Sequence, residues 1–257
     1  MYSINPLSAF KDNYIWTLQS LEGSRIIVVD PGDANPVLSY LQSNNLDLEA
    51  ILLTHHHWDH SGGIVTLKQY FPNIPIYGSK IDQVEGVNQF VKEGQTFTIK
   101  GFDSPIQVLD IPGHTLGHVA YFTENNLFCG DTLFSCGCGR LFEGTPAQMV
   151  SSLKKIKQLP KETLIYCGHE YTLANIAFAE NVEPNNIMLK KRRQEATLSR
   201  NAHHPTLPVS LASELQTNPF LRCDAAEVIN SVEKTCGKKL NNEIAIFTEL
   251  RQWKNLF

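Results

Sequence analysis

Up to about residue 168, short apolar runs alternate with turn residues along the chain. Each run is three or four residues long, is rich in Ile, Val, Leu and aromatic side chains, and ends near Gly, Pro, Asn or Asp, as β-strands do. The predicted strands are 26–29, 51–53, 74–77, 97–99, 106–109, 119–122 and 127–129. Apolar residues at three- and four-residue spacing predict helices at 35–44, 60–71 and 146–158. Many strands with a few helices indicate sheets covered by helices, an α/β architecture.

The pattern changes after residue 167, where helical spacing replaces the short strands. It predicts helices at 171–182, 185–199, 208–216 and 242–253, with a proline-rich break at 204–208. The basic run at 190–193 is predicted to be a solvated helix face. We therefore expect an α/β domain over residues 1–168, followed by an all-α domain over residues 169–257.

The composition restricts the function mainly by exclusion. The 257 residues carry a net charge of −4, so no global basic field favours a nucleic-acid partner. No apolar run approaches the roughly 18 to 20 residues of a membrane span, and the first residues lack the pattern of a secretion signal. The six cysteines are scattered rather than spaced as a disulfide framework. We expect a cytoplasmic monomer without nucleic-acid or membrane partners.

The strongest chemical signal is the segment 54–60, which reads Thr-His-His-His-Trp-Asp-His and directly follows an apolar strand. In an extended chain the side chains of His55 and His57 point to one side and that of His56 to the other. Such a cluster is costly to bury without a metal ion, so a metal site is the favoured interpretation. His56 is interpreted as an outward-facing or packed residue. The four candidate ligands of the segment are His55, His57, Asp59 and His60.

Three later segments supply side chains of the same kind, each after an apolar β-like run and therefore at the end of a strand. They contribute His114, Asp131 and His169, with His118 close by. Each segment alone is a weak signal, but with residues 54–60 they form a specific pattern. The five histidines and two aspartates offer enough nitrogen and oxygen donors for two borderline divalent ions, such as zinc, iron or manganese.

The order of these motifs resembles the bacterial hydroxyacylglutathione hydrolases, a family of the metallo-β-lactamase superfamily. The matching segments are 12–16, 30–32, 54–60, 112–118, 129–134, 137–140, 142–145, 167–172 and 218–222. The resemblance covers nearly the whole chain. It implies the αββα sandwich of that superfamily, followed by a C-terminal helical domain that binds glutathione.

The resemblance also implies how the ligands divide between two ions, of which zinc is the expected metal. One ion would be held by His55, His57 and His114, and the other by Asp59, His60 and His169. Asp131 would bridge both ions, and His118 would support the ligands from behind. Two cations about 3.5 to 4 Å apart make a bound water acidic enough to attack a carbonyl near neutral pH. The carboxylates of Asp59 and Asp131 would act in catalysis.

The implied substrate is an S-(2-hydroxyacyl)glutathione such as S-D-lactoylglutathione. Its hydrolysis yields glutathione and D-lactate, the second step of methylglyoxal degradation. The resemblance places Arg140, Tyr171 and Arg222 around the glutathione carboxylates, a task that suits the planar guanidinium. Phe142 stands in this substrate site where some relatives carry Tyr, so a hydroxyl contact is absent there. The thiolate leaves without an acid because the pKa of a thiol is only about 8.5.

Other functions remain as alternatives at this point. The same fold serves other hydrolases, and a sulfur dioxygenase acting on a glutathione-linked substrate is the nearest alternative. A metal-binding scaffold without catalysis is the alternative of a different class. Cys136 and Cys138 suggest a soft-metal or redox pair only weakly, since two thiols are too few for such a site.

Overall fold

The computed structural model describes residues 2–21 and 23–257. The strands are β1 (Tyr2–Ala9), β2 (Asn13–Ser20), β3 (Arg25–Val29), β4 (Asp47–Leu52), β5 (Ile76–Ser79), β6 (Gln89–Val91), β7 (Thr96–Ile99), β8 (Phe102–Asp110), β9 (Val119–Thr123), β10 (Asn126–Gly130), β11 (Leu133–Phe134), β12 (Gly137–Cys138), β13 (Leu164–Cys167) and β14 (Val209–Ser210). The α-helices are α1 (Ala34–Asn44), α2 (Trp58–Ser61), α3 (Ile64–Tyr70), α4 (Pro146–Lys157), α5 (Thr172–Val182), α6 (Ile187–Asn201), α7 (Leu211–Thr217), α8 (Ala226–Cys236) and α9 (Glu243–Leu256).

The first sheet has the strand order β1-β2-β3-β4-β5-β6 and is parallel from β3 onward. Side chains of β3 alternate between its two faces, as a strand requires. Ile27 and Val29 belong to the core between the sheets, whereas Ile26 and Val28 pack in a second core with residues of α1 and α3. Because both faces of the strand are buried, the sequence reads as a continuous apolar run.

The second sheet has the order β14-β13-β10-β9-β8-β7 and shares the central core with the first. Val108, Tyr121 and Phe128 of this sheet pack in that core, as do Leu153 and Ile156 of α4. The result is a helix–sheet–sheet–helix arrangement followed by a helical C-terminal region, which confirms the predicted fold class.

The predicted elements form with two adjustments. The helix predicted at 60–71 is divided into α2 and α3 at Gly62 and Gly63, and the helix predicted at 208–216 begins only at Leu211. The sequence prediction lacks helix α8 and six strands, namely β1, β2, β6, β11, β12 and β14. The eight residues of β1 include Pro6 and most are only half-buried, which weakens the apolar signal of the strand.

The basic run at 190–193 was predicted to be a solvated helix face, and this prediction is wrong for one of its residues. Arg192 is buried, and its Nη2 donates to the hydroxyl of Ser135 at 3.1 Å and to the carbonyl of Thr206 at 2.9 Å. Arg193 pairs with Glu180. Helical periodicity alone does not reveal that α6 lies against the β11–β12 hairpin. Within the two described ranges, no helix is long and apolar enough to cross a membrane.

Candidate metal centre

The predicted ligands converge at one edge of the two sheets, because each follows a strand that ends there. The segment 54–60 follows β4, and His114, Asp131 and His169 come after β8, β10 and β13. The sheets are joined at this edge, where the backbone N–H of Tyr14 donates to the carbonyl of Gly168 at 2.8 Å. Residues far apart in the sequence thus share one site.

His55, His57 and His114 form a first group, whose candidate ligand atoms all lie within 4.8 Å of one another. His114 donates its Nδ1 hydrogen to the carbonyl of Arg140 at 2.8 Å, so its Nε2 presents a lone pair. That Nε2 faces Nδ1 of His57 at 2.9 Å. Nε2 of His55 is buried and has no hydrogen-bond partner among the described residues.

Asp59, His60 and His169 form a second group of the same size. The Nδ1 atoms of the two histidines are held by carboxylates, that of His60 by Asp30 at 3.0 Å and that of His169 by Asp12 at 2.8 Å. In the neutral rings both Nε2 atoms therefore carry lone pairs, and these face each other at 3.2 Å.

Asp131 lies between the two groups. Its Oδ2 is 3.6 Å from Nε2 of His114 and 3.3 Å from Nε2 of His169. Its Oδ1 is 3.4 Å from Nε2 of His60 and is buried, and no residue in the described part of the chain forms a hydrogen bond with it. One carboxylate thus reaches nitrogen donors of both groups.

The electrostatics of the centre favour cations. Burial alone would lower the pKa of His169, but the charge of Asp131 and hydrogen bonds to Asp131 and Asp59 raise it to about 10. Conversely, burial would raise the pKa of Asp131, but the charges of His60 and His169 hold it well below its usual range. The pKa of His55 is lowered, mainly by burial.

The donor set fits divalent metal ions. Facing lone pairs at 2.9 and 3.2 Å repel each other unless a proton or a metal lies between them. His55 Nε2 and Asp131 Oδ1 also need a partner, and one proton cannot serve all these atoms. A cation coordinated by nitrogen and carboxylate oxygen satisfies them together.

Asp30, Asn13 and His118 orient the candidate ligands through hydrogen bonds. Asp30 accepts hydrogen bonds from Thr54 and from His60, so both of its oxygens are occupied and it is not a free ligand. Asn13 donates to Oδ2 of Asp59 at 2.9 Å. His118 accepts a hydrogen bond from the backbone N–H of Asp131 at 3.1 Å. Asp30 and Asn13 lie in segments that carried the resemblance, but the sequence alone did not indicate these contacts.

Glycines allow the chain segments to approach each other here. A Cβ on Gly168 would lie 2.5 Å from Cε1 of His60 and 2.6 Å from Oδ1 of Asp131. Gly130 has a φ of +45°, and its Cβ would lie 2.3 Å from Oγ1 of Thr54. Side chains at these positions would therefore displace the ligands that follow each glycine.

A cavity of about 750 Å³ opens beside the centre. Arg140, Phe142 and Tyr171, three of the predicted substrate residues, line it together with His114 and Asp131. The ring of Tyr171 stacks on His169 with centroids 4.6 Å apart, and Phe142 lies edge-on to His114 at 5.3 Å. The cavity thus leads directly to the candidate ligands.

Unlike the other three predicted substrate residues, Arg222 does not line this cavity, so its predicted contact with glutathione has no support from the position of its side chain. Its Nε and Nη2 atoms donate to the fully buried carboxylate of Glu183 at 2.9 to 3.1 Å, and its Nη1 donates to the carbonyl of Leu215. The guanidinium therefore binds a carboxylate within the protein, which a sequence pattern cannot distinguish from a carboxylate of a ligand.

Two other cations, both absent from the sequence prediction, line the cavity instead. Arg251 and Lys254 lie three residues apart on α9 and so on one face of the helix. Burial, followed by the charge of Arg251, lowers the pKa of Lys254 to about 8. The recognisable signal was a pair of cations at helical spacing at the end of the last predicted helix, with Arg251 inside the predicted range 242–253 and Lys254 one residue beyond it.

The remaining candidates belong to neither of the two ligand groups. His56 turns away from His55 and His57, with its ring 3.4 Å from Asp82 and 3.1 Å from Glu143. Cys136 and Cys138 are buried free thiols, and the second lines the cavity.

Comparison with known proteins gives consistent matches. Residues 14–169 match the family described as metallo-beta-lactamase superfamily, and residues 170–257 match that described as hydroxyacylglutathione hydrolase C-terminus. The chain is 48% identical over 257 residues to the hydroxyacylglutathione hydrolases of Nitrosomonas eutropha and of Vibrio campbellii, with 100% of each chain covered. It is also similar to the crystal structure of TTHA1623 in a di-iron-bound form, at 26% identity and a TM-score of 0.61, covering 85% of this chain and 100% of that one.

Proposed function

Because the chain belongs to the hydroxyacylglutathione hydrolase family of the metallo-β-lactamase superfamily, we propose that it cleaves S-(2-hydroxyacyl)glutathione with two metal ions. Membership of the family makes the protein a thioester hydrolase. Its substrate would be S-D-lactoylglutathione, and its place the second step of methylglyoxal degradation.

The observation that carries the proposal is the position of Asp131 between two complete groups of donors. One ion would be held by His55, His57 and His114, and the other by Asp59, His60 and His169. Asp131, within 3.6 Å of nitrogens in both groups, would bind both ions. Zinc suits these donors, as do iron and manganese.

When bound, the two ions would supply an acidified water as the nucleophile and a Lewis acid for the carbonyl oxygen. The protein's own groups fix the orientation of the ligands. Asp30, Asp12 and the carbonyl of Arg140 each accept the outward ring hydrogen of one histidine and so direct its Nε2 inward. Asn13 holds Asp59 by a hydrogen bond.

No protein nucleophile or acid is required for this reaction. The thiolate of glutathione leaves unaided, since its conjugate thiol has a pKa of about 8.5. Cys138 is the thiol on the cavity wall, and burial raises its pKa, which keeps it protonated and unreactive. Asp59 and Asp131 would act by holding the ions.

The cavity suits the glutathione part of the substrate. Arg140, Arg251 and Lys254 line it, and in the described ranges none of them forms an ion pair with a carboxylate of the protein. Glutathione carries two carboxylates, which such cations would bind by charge-assisted hydrogen bonds. Tyr171 and Phe142 would form the walls beside the thioester.

We also propose that the two domains of the chain have different functions. Residues 1–168 would form the catalytic domain, and residues 169–257 would form the substrate-binding domain, which contributes Tyr171, Arg251 and Lys254. The six cysteines are free thiols, five of them buried, which is compatible with a reducing cytoplasm. The protein would act there as a monomer.

The test is metal analysis of purified protein combined with hydrolysis of S-D-lactoylglutathione. We expect about two ions per chain, in line with the two donor groups, and loss of turnover after chelation that returns when metal is restored. A β-lactam and a phosphodiester serve as comparison substrates. One ion or fewer in fully active protein would overturn the two-ion centre, and faster cleavage of either comparison substrate would overturn the proposed substrate.

A further inference from the structure

A short hairpin connects the metal centre to the substrate cavity. It consists of β11, β12 and the turn residues Ser135 and Cys136, and it lies between Asp131 and Arg140 in the sequence. Within residues 2–21 and 23–257, its two strands pair only with each other, as a separate two-stranded sheet. Such a small sheet is not stable alone, and its buried backbone groups need partners elsewhere.

Side chains from the helical region supply those partners. Asn218 donates from Nδ2 to the carbonyls of Phe134 at 3.1 Å and Gly137 at 2.9 Å. Glu214 accepts a hydrogen bond from the backbone N–H of Cys136 at 2.8 Å and another from the hydroxyl of Ser135 at 3.1 Å. The hairpin is therefore held from outside the metal-binding half of the chain.

These partners are buried and connected to one another. Glu214 and Asn218 are both fully buried, and Nδ2 of Asn218 lies 2.8 Å from Oε2 of Glu214. Ser135 links this pair to the buried guanidinium of Arg192, whose Nη2 donates to its hydroxyl at 3.1 Å. Burying a carboxylate is costly unless donors surround it, and here the donors belong largely to the hairpin.

The hairpin in turn determines the shape of the substrate cavity. Phe134 and Cys138 line the cavity, and Phe134 packs at 5.2 Å against the ring of Tyr171. The carbonyl of Cys138 accepts a hydrogen bond from Arg251 at 2.7 Å. A shift of the hairpin would therefore move the wall of the cavity together with two residues proposed to contact glutathione.

We propose that Glu214 and Asn218 are positioning residues for glutathione binding, acting through the hairpin rather than by touching the substrate. The inference rests on the proposed function, since it takes the cavity to be the glutathione site. The proposal gives a role to Asn218, the first residue of the 218–222 segment that contributed to the family resemblance. No residue of that segment is a candidate metal ligand. The other end of that segment, Arg222, pairs with Glu183 and does not contact the hairpin.

The test compares Glu214→Gln with Glu183→Gln. Both changes remove the charge of a fully buried glutamate in the helical region, but Glu183 binds Arg222 and not the hairpin. The measurements are the Kd of glutathione by calorimetry, KM and kcat for S-D-lactoylglutathione, metal content, and the melting temperature. We expect Glu214→Gln to raise both the Kd of glutathione and the KM at least about fivefold, because misplacement of binding groups costs affinity. Glu183→Gln should lower the melting temperature but leave Kd and KM within about twofold of wild type.

Equal effects of the two variants on Kd, or an unchanged Kd in folded Glu214→Gln protein, would overturn the positioning role alone. If Glu214→Gln does not fold, Ser135→Ala, which removes only the hydroxyl between Glu214 and Arg192, is measured against the same control with the same expected direction. A wild-type protein that neither binds glutathione nor cleaves the thioester would overturn the proposed function, and this inference with it.

Discussion

Substitution of Asp30 tests whether its carboxylate sets the orientation and protonation of His60 in the second ligand group. Its carboxylate is buried and accepts hydrogen bonds from the N–H and the hydroxyl of Thr54, both at 2.7 Å, and from Nδ1 of His60 at 3.0 Å. Replacement by asparagine keeps the shape but converts one oxygen into an N–H donor. If that donor faces His60, the proton of the ring moves to Nε2, which is the atom proposed to bind metal.

We therefore expect Asp30→Asn to weaken metal binding at the second group by about 10- to 100-fold, which is the usual effect of losing such a supporting contact. This corresponds to roughly 1.4 to 2.7 kcal/mol of binding free energy. The free energy of unfolding of the metal-free protein should fall by about 1.5 to 3 kcal/mol, because the lost hydrogen bonds involve a charged group.

The assay is titration of metal-free protein with Zn²⁺ in competition with a chromophoric chelator, which resolves the two binding events. Asp33→Asn is the matched control, since Asp33 caps α1 by accepting from Asn35, a role that asparagine fills equally well. Wild-type affinity at both sites in folded Asp30→Asn protein would refute the argument that Asp30 sets the protonation of His60.

Three further predictions concern the ions, the cavity and the leaving group. Asp131→Ala should abolish turnover and metal retention, whereas His56→Ala should retain two ions; equal metal loss in both would contradict the proposed bridging role. Lys254→Ala should raise KM about 10- to 150-fold, as expected for loss of a charge-assisted contact to a carboxylate. Because its lowered pKa is about 8, the wild-type KM should rise with pH through that value as the ammonium loses its proton, and a Lys254→Arg variant should lack this rise. The thioester should be cleaved at least about 100-fold faster than its oxygen-ester analogue, since an alkoxide leaves poorly without an acid; comparable kcat/KM values would argue for an unrecognised acid.

The two groups of candidate ligands could be predicted because their signal is local. Alternation along an extended strand end places His55 and His57 on one side and His56 on the other, and the structure has this arrangement. Each later ligand follows its own apolar strand, so its position at a strand end was also readable. The chemistry of histidine and carboxylate then indicates a metal without knowledge of the distances.

The cations that line the cavity were less predictable because an arginine or lysine can pair with any carboxylate that packing brings near it. Arg222 has the residue type that suits a ligand carboxylate, but its partner is Glu183. Lys254 and Arg251 lie in the last helix, and only the packing of α9 brings them to the cavity. Arg192 likewise belongs to a basic run whose sequence suggests a solvated face, although the packing of α6 against the β11–β12 hairpin buries it.

The sequence by itself determined the layered α/β fold, the helical C-terminal region and the chemical class of the centre, because periodicity and donor chemistry act over a few residues. Only the tertiary structure decided which distant side chains hold those donors and the hairpin in place. Asp30 accepts a hydrogen bond from His60, Asp12 accepts one from His169, and Glu214 accepts one from the hairpin. The physical reason is that a buried charge or polar group binds whatever partner the packing places within about 3 Å, and nothing in the local pattern identifies that partner.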